Sequence, residues 1–128
     1  MHFLFGVHGT LDSGTPEKWR NTLKMIRENG HTVCVMTNGF YGAPEEMLTG
    51  LVKEEFDAVF EKRNKSFRGS YQFVAQALQV NLDDLFLVDA NEENIKNAHQ
   101  FGVAGKWHRT VEETHYYLNA IAIQKTPG

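Results

Sequence analysis

The side chains of this sequence best equipped for chemistry stand in four short groups, three of which follow apolar runs. Gly6-Val7-His8-Gly9-Thr10 follows Phe3-Leu4-Phe5, Thr37-Asn38 follows Val33-Cys34-Val35-Met36, and Asp89, with Asn94 downstream, follows Leu85-Phe86-Leu87-Val88. Lys65 and Arg68 make the remaining group, just ahead of a segment of helical periodicity. His8 offers an imidazole that can donate or accept a proton near neutral pH. Thr10, Thr37 and Asn38 offer neutral hydrogen-bonding groups, Arg68 a forked cation and Asp89 a carboxylate. None of these groups is distinctive alone, so their meaning depends on whether the fold brings them together.

The elements that must position them are legible as alternating patterns. Phe3–Val7 reads as a buried strand opening into a small polar loop. Thr15 can cap a helix with Pro16 at its first position, and Trp19, Leu23, Met25 and Ile26 give it an apolar stripe that stops at Asn29-Gly30. His31–Met36 reads as a second strand, Pro44 to about Lys53 as a short helix, and Asp57–Phe60 as a third strand. Ser70–Leu78 is expected to be helical with Phe73, Val74 and Ala77 at helical spacing. Leu85–Val88 is the clearest strand of all. Asp89–Asn94 turns into another helix with Ile95, Ala98 and Phe101 inward and Gly102 at its stop, Val103–Trp107 makes a fifth strand, and Val111–Ile123 a last helix. Short apolar strands alternating with helices predict an α/β, three-layer Rossmann-like sandwich with a central, mainly parallel five-stranded sheet. In such sheets the ligand crevice lies beyond the carboxyl ends of the strands, where all four groups fall.

Bulk properties narrow the class. The 128 residues suit one domain, expected over 1–124 with a loose tail at 125–128. Hydrophobic residues at 41% and charged residues at 23% match a packed globular chain, against disorder or a fibrous repeat. A formal charge of −3 with no basic run disfavours nucleic acid and anionic membrane as partners. No apolar run approaches the roughly 20 residues that span a bilayer, and Met1–Val7 reads as a strand rather than a signal peptide. The lone Cys34 excludes an internal disulfide framework and suits a reducing, cytoplasmic setting, where a buried, inert thiol is the plain expectation. The other histidines, His2, His31, His99, His108 and His115, lack metal-ligand spacing and are expected to be solvated or half-buried.

In order and spacing the four groups resemble the motifs of the haloacid dehalogenase-like (HAD-like) superfamily of phosphohydrolases, over about Phe3 to Trp107. Phe5-Gly6-Val7-His8-Gly9-Thr10-Leu11 is similar to the first motif, Asp-x-Asp-Gly-Thr-Leu; Val35-Met36-Thr37-Asn38 to the second; and the strand ending in Asp89 to the fourth, which usually ends in Asp-Asp. For the basic residue of the third motif, Arg68 is the better match and Lys65 the competing one. The resemblance implies that the residue at position 6 attacks phosphorus and the residue at position 8 moves the proton. Here those positions hold Gly6 and His8, and Ala90 stands where the second acidic residue of the fourth motif is usual. Gly6 cannot be a nucleophile. No catalytic residue is expected by the family route, with His8 the one to act if any turnover survives.

The resemblance also implies a magnesium site, here reduced to Asp89 and the His8 carbonyl, so magnesium is a weakened cofactor. His8 with Asp89 is at most the start of a site for a softer ion such as zinc. The phosphate side is better kept, with Thr10, Thr37, Asn38 and Arg68 as the expected ligands. The intervals Leu11–Met36 and Gly39–Phe67 leave no room for the inserted cap of many relatives. The leading expectation is therefore a capless, catalytically degenerate HAD-like domain that binds a phosphorylated ligand or a protein partner. The alternatives are a phosphohydrolase working through His8 and Asp89, and a structural or assembly subunit, homo-oligomeric for instance, anchored by Trp107, Tyr116 and Tyr117.

Overall fold

The structure, a computed structural model, describes residues 1–38, 51 and 53–123. Five strands, β1 (His2–Phe5), β2 (Thr32–Met36), β3 (Ala58–Phe60), β4 (Leu85–Asp89) and β5 (Ala104–Trp107), form one sheet in the order β3-β2-β1-β4-β5. Every neighbouring pair is parallel, and Phe5 stands in register with Val35 on one side and Val88 on the other. The chain builds outward from β1 to β3 in one direction and from β4 to β5 in the other. The order therefore reverses between β1 and β4, which is where an open parallel sheet leaves a crevice.

Alternation along the strands divides the core into two layers. Phe3, Phe5, Val33, Val35, Phe86 and Val88 pack with Trp19, Leu23 and Ile26 of α1 (Pro16–Glu28) and Leu118 of α4 (Val111–Ala122). Leu4, Cys34, Met36, Leu85 and Leu87 pack with Tyr71, Val74 and Ala75 of α2 (Arg68–Leu78) and Ala98 of α3 (Glu92–Gln100). The three-layer α/β sandwich read from the sequence is thus the observed fold. Cys34 is fully buried, and burial pushes its thiol up to about 12, which keeps it protonated and unreactive.

Local signals set the helix starts. Thr15 Oγ1 accepts the Lys18 N–H at 3.2 Å with Pro16 at the first helical position, Asn91 Oδ1 accepts the Glu93 N–H at 2.9 Å, and Thr110 Oγ1 accepts the Glu113 N–H at 3.2 Å. Two expectations need correcting. α2 starts at Arg68 rather than Ser70, and its buried face is Tyr71, Val74 and Ala75, while Phe73 and Ala77 are exposed. Phe73 instead lies under the Arg63 guanidinium, 3.6 Å from the ring centroid, and edge-on to Phe60. The helix expected from Pro44 to about Lys53 and the tail at 125–128 lie outside the described residues, apart from a short 3-10 turn at Lys53–Glu55.

A buried polar seam joins α1 to α4. Trp19 Nε1 donates to the Ser13 carbonyl at 2.7 Å, and the ring lies 5.9 Å from that of His108 and 4.3 Å from that of His115. His108 is hydrogen-bonded through Nε2 to Ser13 Oγ at 2.9 Å and through Nδ1 to Thr114 Oγ1 at 2.7 Å; His115 Nδ1 meets Thr22 Oγ1. Both rings are buried, not solvated or half-buried as expected, because the apolar α1–α4 contact closes over them. No described residue hydrogen-bonds His115 Nε2. Burial foremost, then the nearby Lys18 and His108, lower the His115 pKa to about 4, against an opposing pull from Glu112. Below its ordinary value of 6.5 the unfolded chain binds a proton that the fold refuses until about 4. Stability is therefore expected to fall across that interval, and urea unfolding at stepped pH should show a shallower fall in His115→Gln; identical slopes would refute it.

Candidate functional site

The crevice is built first by the loop that leaves β1. The Gly6 N–H donates to the Val88 carbonyl at 3.0 Å and so prolongs the β1–β4 pairing by one residue. Val7–Leu11 then makes a wide turn, closed by Leu11 N–H on the Gly6 carbonyl at 3.3 Å and Asp12 N–H on the Val7 carbonyl at 3.2 Å. Gly9 allows this turn with φ of +74°, and a Cβ there would come within 3.0 Å of the Ala90 methyl. Thr10 is fully buried, and its hydroxyl oxygen accepts the Ala90 N–H at 3.0 Å. Ser13 Oγ donates to the Thr10 carbonyl, and the His108 N–H to the Asp89 carbonyl at 2.8 Å. The loops after β1, β4 and β5 are thereby tied to one another around Thr10. This hydroxyl oxygen helps to hold the fold of the site, and Thr10 is not among the residues that line the crevice.

At the end of β4, Asp89 is 3% exposed, and both of its oxygens are engaged. Oδ2 accepts from Lys65 Nζ at 2.6 Å, and Oδ1 from the Asn91 N–H at 2.8 Å and from Asn94 Nδ2 at 3.4 Å. Lys65 is itself only 6% exposed. Its carbonyl accepts the Tyr71 hydroxyl at 3.2 Å, and burial foremost, with Asp89 nearby, pushes that phenol up so that it stays a donor. The ion pair lies directly over Gly6: a Cβ on that residue would be 2.6 Å from Asp89 Oδ2 and 3.0 Å from Lys65 Nζ.

Among the described residues the cation that lines the crevice is Lys65, the competing assignment, and not Arg68, the preferred one. Arg68 is the first residue of α2, where its side chain is exposed and turns toward the Phe101 ring at 5.7 Å. The crevice has a volume of about 240 Å³. Val7, His8, Thr37 and Asn38 line it from the ends of β1 and β2, and Lys65, Asp89, Asn91 and Asn94 line it from the other side. Thr37 is anchored by its N–H on the Phe60 carbonyl at 3.0 Å and by its carbonyl, which accepts the Arg63 N–H at 2.9 Å. Of the expected residues, His8, Thr37, Asn38 and Asp89 converge, while Arg68 and Thr10 do not. Asn91 was not singled out from the sequence, although its position at a helix cap after a strand end marks it. A larger hollow of about 390 Å³ lies along α1, lined by Arg20, Lys24, Arg27, Glu28, Glu55 and Leu23, with none of them at the carboxyl end of a strand. Its charges pair locally, Arg20 with Glu55 and Lys24 with Glu28.

The donor set does not fit a magnesium ion. Magnesium requires a near-octahedral shell of hard oxygens, whereas among the described residues one carboxylate lines the crevice, already carrying three hydrogen bonds, with no side chain at Gly6 and a methyl at Ala90. Among the described residues no cluster of three His, Cys, Asp or Glu is placed to hold any metal, so His8 with Asp89 falls short of the three or four protein ligands of a zinc site. The aromatic residues expected as anchors in an assembly role sit in different environments. Tyr117 is half-buried against Phe86 at 6.2 Å, Tyr116 is 79% exposed, and Trp107 donates its Nε1–H to the Ala90 carbonyl at 3.0 Å. No helix among the described residues is long and apolar enough to cross a membrane.

Neither a protein-family model nor a curated protein sequence matches the chain. Solved structures do. An uncharacterised protein from Corynebacterium glutamicum is similar over 99% of this chain and 98% of its own, with a TM-score of 0.80 at 20% identity. A HAD family enzyme from Bacteroides thetaiotaomicron, solved with magnesium and inorganic phosphate, matches 75% of this chain and 53% of its own, at a TM-score of 0.62 and 17% identity. A dehalogenase solved as an intermediate complex matches 72% of this chain and 43% of its own, at 0.60 and 24%. The chain spans about half the length of these two enzymes and nearly all of the first protein. With its parallel sheet, strand order and crevice at the ends of β1, β2 and β4, the chain carries the fold of the haloacid dehalogenase-like superfamily.

Proposed function

We propose that this chain is a non-catalytic member of its fold, a domain that binds a phosphorylated ligand, free or carried by a protein, at the crevice around Lys65. The observation that carries this reading is the occupied space over Gly6. A covalent phosphohydrolase needs a carboxylate aimed at phosphorus from that position. Gly6 supplies none, and the place of such a side chain is taken by the Lys65–Asp89 pair. His8 lines the crevice and can exchange a proton with solvent or ligand, but it has no nucleophile to serve.

Binding groups, in contrast, remain. The Lys65 ammonium carries three donors, of which Asp89 takes one. Thr37 and Asn38 add neutral donors from the end of β2, and charge-assisted hydrogen bonds from an ammonium to an oxyanion are the stronger kind. The interval from Leu11 to Met36 is filled by α1 and β2, so a crevice open to a large partner is part of this reading, as is a cytoplasmic setting consistent with the lone buried Cys34.

The direct test is turnover. Purified protein given a panel of phosphomonoesters with magnesium, manganese or zinc is expected to match its Asp89→Asn variant at background, and hydrolysis lost in both His8→Ala and Asp89→Asn would overturn the reading in favour of the His8 mechanism. For binding, phosphate titrations followed by NMR should weaken by about tenfold in Asn38→Ala and stay unchanged in Arg68→Ala; the reverse order would return the anion site to Arg68. Gly6→Ala is expected to cost about 1–3 kcal/mol in urea unfolding, because the added methyl presses on a buried ion pair, and a neutral result would show that the space over Gly6 is free.

A further inference from the structure

We propose that Lys65 is the resident cation of the crevice, balancing the charge of Asp89 itself, so that the crevice works without a divalent metal. The inference rests on the binding reading only in taking this crevice as the ligand site.

Three features of the geometry support it. Three of the roughly four acceptor sites of the Asp89 carboxylate are taken: Oδ2 holds Lys65 at 2.6 Å, and Oδ1 holds the Asn91 N–H and the Asn94 amide. A metal ion on this carboxylate would sit against the positive charge of an ammonium that is itself buried and whose backbone carbonyl holds the Tyr71 hydroxyl at 3.2 Å. Second, the pair is neutral as it stands. An added divalent ion would meet one negative charge already spent on Lys65, since Gly6 and Ala90 contribute none. Third, the backbone at Gly6 leaves just the room the pair uses, for even a methyl there would collide with Asp89 Oδ2 at 2.6 Å. An ammonium is a compact point charge with several donors, so it can hold Asp89 and still present hydrogens to a ligand oxygen.

The test is metal binding by the full chain, read by thermal melting and by manganese electron paramagnetic resonance. Wild type and Asp89→Asn should respond alike to millimolar magnesium or manganese, with no binding that depends on Asp89. Lys65→Met, which keeps much of the side-chain volume and removes the charge, should melt lower in chelator. It should then gain a manganese affinity at least about tenfold above wild type, which Asp89→Asn in the same background abolishes. Asp89-dependent manganese binding by wild type would overturn the inference, and so would a folded Lys65→Met that gains none. If Lys65→Met does not fold, the comparison of wild type with Asp89→Asn decides the matter alone. Metal binding without turnover would sink this inference and spare the non-catalytic reading, whereas turnover without metal would do the opposite.

Discussion

Two opposite charges buried together at the end of a central strand stay ionised only if each finds enough hydrogen bonds to offset the loss of water, and that requirement organises this site. Asp89 meets it with Lys65 on one oxygen and the Asn91 N–H and Asn94 amide on the other. Breaking such a pair by removing one partner typically costs about 3–5 kcal/mol, although a well-packed apolar replacement of both can be neutral. The pair is thus poor evidence for added stability and good evidence for a fixed arrangement. It demands a residue without a side chain at Gly6, it orients the start of α3 through Asn91 and Asn94, and it sets the charge that any ligand meets.

The rest of the molecule holds that arrangement in register. Parallel pairing of β1 with both β2 and β4 brings Gly6, Thr37 and Asp89 to one edge of the sheet, and the Thr10 hydroxyl on the Ala90 N–H locks the first loop against the fourth strand. Ser13 and His108 carry the same lock to the end of β5 and, through Thr114, to α4. The seam of buried polar groups between α1 and α4 therefore supports the crevice from behind. Burial lowers the pKa of both its histidines, which links the integrity of the site to pH through packing.

Much of this was legible in the sequence because it depends on local signals. Continuous apolar runs marked the strands, and Thr15-Pro16 marked a helix start, so the sheet and the four groups at its edge followed directly. What the sequence could not show was which of two nearby cations turns inward. Lys65 and Arg68 are three residues apart, and the choice depends on α2 beginning at Arg68, which sends that side chain outward toward Phe101 while Lys65 stays in the preceding loop under Asp89. Helix boundaries of one or two residues are the weakest part of any such reading. The tie from the Thr10 hydroxyl oxygen to the Ala90 N–H was likewise hidden, because it joins loops 80 residues apart. Phe73 follows the helical period yet faces solvent, because Arg63 covers its ring from outside the core.

Everything at this site turns on whether the Lys65–Asp89 pair remains closed over Gly6 when offered magnesium and inorganic phosphate, the ions present in the similar Bacteroides structure. A crystal structure of the protein grown with magnesium and inorganic phosphate would answer that in one observation. The account predicts Lys65 Nζ still in hydrogen-bonding contact with Asp89 and no metal on that carboxylate, whether or not phosphate lies against Thr37 and Asn38. A magnesium ion bound to Asp89 with the Lys65 ammonium swung away would contradict it.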